Sequence, residues 1–133
     1  MKDNSGKRKV LISYRMKRAH ASLRVAQTLL QQGEDPPSIV NRAYYAMFYA
    51  ALALLATIDQ QTSKHSGVLA LFDQHFIKTQ ILPKEMGKFL HKAFDTRQTG
   101  DYEEEAEITE EQAAEVLGFA VQFLKSIEEK LSK

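Results

Sequence analysis

From Leu11 to Leu30 the apolar residues Ile12, Met16, Ala19, Leu23, Ala26 and Leu30 recur at steps of four and three. That spacing predicts one amphipathic helix with a narrow apolar stripe. Lys17 and Arg24, seven residues apart, fall together on its opposite side. Gly33 reads as the stop and Asp35-Pro36-Pro37 as the turn, with Ser38 the candidate cap of the next helix. This second helix, about Ser38 to Ile58, carries a single charged side chain, Arg42. A helix apolar all round either lies at the centre of a bundle or crosses a membrane. After Arg42 the run is only sixteen residues, Ala43 to Ile58, with three tyrosines in its first half. A membrane span needs about twenty apolar residues, so a core helix is expected, with no membrane as partner.

Gln60 to Lys64 is polar and predicts a turn. A third helix is expected from about His65 to Lys78, with Val68, Leu69, Phe72 and Phe76 inward. Pro83 opens a fourth, in which Met86, Phe89, Leu90, Ala93 and Phe94 follow the helical period. Arg97 continues that stripe, and Gly100 is the expected left-handed stop before an acidic loop, Asp101 to Glu107. Thr109-Glu110-Glu111-Gln112 predicts a capping box. It opens a fifth helix whose stripe is Ala113, Leu117, Ala120, Leu124, Ile127 and Leu131. The expected fold class is all-α, an antiparallel four-helix bundle with one additional short helix. A flexible basic tail at residues 1–10 precedes a single domain at 11–133.

Composition narrows the chemistry. A chain of 133 residues with 44% apolar and 26% charged side chains suits one globular core. With no cysteine, disulfides, thiolate metal sites and cysteine nucleophiles are excluded. The polar start, Met1 to Gly6, and the short cluster Val10-Leu11-Ile12 do not make a signal peptide, so a cytoplasmic location is expected. Net charge is +1, but it is unevenly spread. Residues 1–33 hold eight cations against Asp3 alone, and residues 34–133 hold ten cations against sixteen acids. The basic third either attracts phosphates or an acidic surface, or is a tail followed by a solvated helix face.

Arg42 is the sharpest candidate. A guanidinium left unpaired in an apolar core costs several kcal/mol, so it needs a carboxylate, a set of carbonyls or an anionic ligand. Its planar fork suits phosphate. Tyr45 and Tyr49, three and seven residues on, share its face of the helix. Arg97, with Asp101 and Tyr102 in the segment after it, offers either a partner for Arg42 or a second phosphate site, or else a locally satisfied helix end. His65 at the start of the third helix is either a proton donor in a cleft or structural. His20, His75 and His91 are scattered without metal-ligand spacing. No phosphate loop or nucleophile motif is present, and neither metal nor cofactor is expected.

The run Asn41-Arg42-Ala43-Tyr44-Tyr45-Ala46-Met47-Phe48-Tyr49-Ala50-Ala51 closely resembles the short, single-domain HEPN proteins of bacteria and archaea. His65-Ser66-Gly67-Val68, Phe76-Ile77-Lys78-Thr79 and the Arg97-to-Tyr102 segment fit the same family in the same order, over roughly residues 13–131. The resemblance implies a HEPN bundle, often a homodimer, associated with RNA or nucleotides. Many such proteins are metal-independent ribonucleases, and some are toxins paired with a minimal nucleotidyltransferase. Their active motif is an Arg followed, after four to six residues, by a His. Arg42 matches the Arg. The six-residue spacing lands on Tyr49 and the four-residue spacing on Met47, so the histidine is absent. A tyrosine with an ordinary pKa of about 10 is a poor base at neutral pH, and methionine is none. The expectation is therefore a binding protein with weakened catalysis. The alternatives are an active ribonuclease in which Tyr49 or His65 assists Arg42, and a purely structural interaction module. In some family members a tyrosine two positions after the motif His receives the partner's nucleotidyl group, and Tyr49 holds that position if Met47 replaces the His.

Overall fold

The computed structural model describes residues 5–102 and 107–133, with side chains at 6–99 and 107–133. Five α-helices carry the described residues: α1 (Ser5–Gln31), α2 (Pro36–Ala56), α3 (His65–Phe72), α4 (Lys84–Tyr102) and α5 (Glu110–Leu131). The fold is all-helical.

Helix α1 begins at Ser5 rather than Leu11, so residues 5–10 extend the helix instead of forming a tail. Met16, Ala19, Leu23 and Ala26 are buried, as their spacing requires. Gly33 ends it at φ +69°, a conformation that costs glycine little. Its N–H donates to the Leu30 carbonyl, and the Glu34 N–H reaches back to Leu29. The cap of α2 is Asp35, not Ser38. Pro36 and Pro37 occupy the first turn, where a missing N–H costs nothing, and the Asp35 carboxylate accepts from the Ser38 N–H at 3.2 Å.

Helix α2 is central. It packs against α1, α3, α4 and α5, and Tyr44, Met47 and Leu55 are fully buried within it. It is long and apolar enough to span a membrane by composition, yet most of that stretch is buried inside the domain. It is not apolar all round, however. Ser38, Asn41, Arg42, Tyr45, Tyr49 and Leu52 lie outside the core as one continuous stripe.

The third helix divides into α3 and a single π-helical turn, Asp73–Ile77, closed by the Lys78 N–H on the Asp73 carbonyl. Val68, Leu69, Phe72 and Phe76 all point inward across this change of pitch. Helix α4 does not stop at Gly100: it runs on to Tyr102, so Asp101 and Tyr102 belong to its last turn rather than to a loop. The capping box of α5 is formed. Gln112 N–H donates to Thr109 Oγ1 at 3.1 Å, and Thr109 N–H donates to Gln112 Oε1 at 2.8 Å. Val116 and Phe123 join its expected stripe in the core.

Candidate functional site

The stripe of α2 is flanked by α1 on one side and by α3 and α4 on the other. Along the first flank Arg15 Nη1 donates to the Leu52 carbonyl at 2.9 Å. One turn on, the Arg18 guanidinium stands 5.4 Å from the Tyr49 ring centroid. Hydrogen bonding to Tyr49 is the main cause that raises the Arg18 pKa, and the nearby Tyr14 adds to it. Ascending residues of α1 thus meet descending residues of α2, so the two helices are antiparallel.

Along the other flank, Arg97 of α4 donates from Nε to Asn41 Oδ1 at 2.9 Å and makes a long contact from Nη2 to the Tyr45 hydroxyl at 3.5 Å. Its guanidinium carbon also lies 5.5 Å from the Tyr44 ring centroid and 5.3 Å from that of Tyr45. Arg97 is therefore fixed in direction before any ligand arrives. His65, the first residue of α3, stacks on Phe48 with centroids 4.3 Å apart and meets the edge of Tyr45. Its Nδ1 lies 2.8 Å from the Tyr44 hydroxyl.

Two pKa shifts follow from this packing. Burial pushes the Tyr44 phenol well above its ordinary value despite the opposing charge of Arg97. Burial first, and Arg97 second, push His65 below its ordinary value. At neutral pH the pair is a phenol hydrogen-bonded to a neutral imidazole, and a neutral imidazole is the form that can accept a proton.

Arg42 corrects the expectation of a buried charge: it is exposed, and among the described residues no carboxylate pairs with it. With Asn41, Arg97, Val25 and Leu29 it lines an open groove of about 590 Å³, to which Glu34 and Asp35 also contribute. Arg42 and Arg97, fifty-five positions apart in the chain, thus share one cavity. Met47 lies in the core with no exposed surface, so the four-residue motif position cannot reach this face. Tyr49 does lie on it. The side chains of Asp101 and Tyr102 fall outside the described residues. Sequence reasoning missed Asn41, Tyr44, Phe48 and Arg18 as parts of the site. Asn41 and Tyr45 are one helical turn apart, so their spacing could show that they share a face of α2, but not that Arg97 meets it. Among the described residues no three His, Asp or Glu side chains converge as metal ligands.

Comparison with known proteins gives this geometry a context. The HEPN domain family matches residues 12–130. A UPF0332 protein of Thermotoga maritima is 45% identical over 118 residues, covering 89% of each chain. A Methanocaldococcus jannaschii protein bearing the name "Putative toxin MJ0142" is 39% identical over 102 residues, which is 77% of this chain and 69% of its own. A UPF0332 protein of Gloeobacter violaceus is 35% identical over 117 residues, covering 82% of this chain and 92% of its own. With a family match spanning nearly the whole sequence, this chain belongs to the HEPN family.

Proposed function

We propose that this protein binds RNA or nucleotide phosphates on the open stripe of α2, as a toxin-like cytoplasmic component partnered with a nucleotidyltransferase. In this reading α1, α2, α4 and α5 form the antiparallel four-helix HEPN bundle, and two copies make a homodimer. The observation that carries it is the shared groove of Arg42 and Arg97. Arg42 is exposed without an ion pair among the described residues, and Arg97 is pre-aimed by Asn41 and the tyrosine rings. Two guanidinium forks in one cavity match a phosphodiester, while Tyr45 and Tyr49 offer aromatic faces and hydroxyls beside it. The toxin name of the Methanocaldococcus jannaschii relative supports the toxin-like part. Catalysis is weakened because a buried methionine stands where the family's histidine belongs.

A second reading, a metal-independent ribonuclease, is favoured by one observation: His65 brings a neutral imidazole to the same face from another helix. With Nδ1–H donating to the Tyr44 oxygen, its Nε2 takes the proton of the attacking 2′-hydroxyl. The new P–O2′ bond displaces the 5′-oxygen of the next nucleotide, which leaves with a proton from water, while the arginines hold the charge that builds on the phosphorus oxygens.

One experiment addresses both. A labelled single-stranded RNA is titrated with the purified chain between 50 and 200 mM salt, and the same mixture is incubated in chelator. Binding is expected to weaken steeply with salt and to be lost in Arg42→Ala with the helical spectrum unchanged. Cleavage that disappears in His65→Ala selects the ribonuclease reading. A folded wild type that binds no RNA and no nucleotide sinks the proposal.

A further inference from the structure

A second, larger groove of about 950 Å³ opens where the middle of α1 meets the end of α5. It is at the upper end of the range of about 300–1,000 Å³ that holds small organic ligands. Its walls include Tyr14, Lys17, Arg18 and Arg24 of α1, and its apolar side includes Met16 and Leu131. Tyr14 is 58% exposed, unusual for so large a ring, and Lys17 and Arg24 are exposed as well. Glu128 is the one acid among the lining residues, and it is bonded to His20.

Arg18 connects this groove to the α2 stripe. It lines the groove, and its guanidinium stands over the Tyr49 ring. From Tyr14 to Arg24 the helix rises about 15 Å, so the cations follow one another along a path instead of converging on a point.

We infer that the groove between α1 and α5 is a track for single-stranded RNA, entered from the α2 stripe past Arg18, with Tyr14 as a stacking platform and Lys17 and Arg24 as phosphate contacts. A line of cations beside an exposed aromatic ring is the chemistry that binds unpaired strands without reading their sequence. The inference rests on the α2 stripe being an RNA or nucleotide site, and it deepens that reading: the ligand is an oligonucleotide, and the stripe alone holds only one end of it.

The test compares a labelled nine-residue oligouridylate with labelled uridine monophosphate, each titrated with the full chain at two salt concentrations. The oligomer is expected to bind at least ten times more tightly than the monophosphate. Tyr14→Ala is expected to weaken the oligomer about tenfold, the loss of one stacked base, and to leave the monophosphate unchanged. Lys17→Gln with Arg24→Gln is expected to flatten the oligomer's salt slope by about 1.4 for two lost phosphate contacts. Since all three side chains are exposed, the variants fold.

If the monophosphate binds through Arg42 but length adds nothing, the track is overturned and the α2 site stands. If neither ligand binds, both fall. Displacement of the oligomer by polyglutamate of equal charge assigns the groove to an acidic protein segment and overturns the inference. A drop in molecular mass on Tyr14→Ala, read by light scattering, assigns it to a second copy and overturns it equally.

Discussion

Tyr44 and His65 illustrate how a side chain acquires properties that its position in the sequence does not announce. His65 looked like a polar residue at a helix start, and only the fold places Phe48 beneath its ring and Tyr44 at its Nδ1. Because its pKa is lowered in the folded state, the unfolded chain binds more protons at this site as the pH falls. Its contribution to stability is present above the unfolded value of about 6.5 and is lost as the pH falls through the folded value. Urea denaturation at pH 7.5 and 5.5 is therefore expected to show a loss of stability at the lower pH that shrinks in His65→Gln. An equal loss in the variant would assign the effect to other groups. Arg42 departs from its expected place for a similar reason. Counting Tyr45 and Tyr49 as apolar made α2 look sealed on every side. Their hydroxyls, with Ser38 and Asn41, instead mark the stripe on which Arg42 is exposed.

Among the elements, those with a local physical signal were legible and those set by tertiary contact were not. The box at Thr109 and Gln112 and the Gly33 stop are local, since a few backbone donors and one positive φ decide them. The π turn at Asp73–Ile77 gave no signal, because the sequence there keeps an ordinary helical pattern. Gly100 shows the opposite error: glycine alone does not end a helix, and α4 continues through it. Gly118 offers a clean test of the same rule. It lies exposed in the middle of α5, where an added methyl group would meet nothing within 4 Å beyond its own stretch of the helix. Gly118→Ala is expected to stabilise the domain by about 0.5–1 kcal/mol, through helix propensity and a less mobile unfolded chain. The shift is read from the urea midpoint at constant m-value. A destabilised variant would mean that another chain covers this surface.

For the whole molecule, an all-helical domain around α2 was readable because no other segment is so apolar, and the four stripes of helical period in the other helices need a common core. The neighbour relations were not readable. Nothing in the sequence says that Arg97 comes to Asn41 or that Arg18 comes to Tyr49, since such pairings depend on how the helices cross. This separates residues that hold the fold from residues that face a ligand, and two variants expose the difference. Phe123 is fully buried against Phe72, with ring centroids 5.3 Å apart. Phe123→Ala is expected to cost about 3–5 kcal/mol. That is a large share of a total stability of about 5–15 kcal/mol, and any loss of RNA binding then follows unfolding. Arg42→Ala removes an exposed side chain and is expected to change stability by less than about 0.5 kcal/mol while binding is lost. The two are measured together by denaturation and RNA titration. If Arg42→Ala instead melted the domain as Phe123→Ala does, Arg42 would be part of the scaffold, and the phosphate site would have to be sought around Arg97 alone.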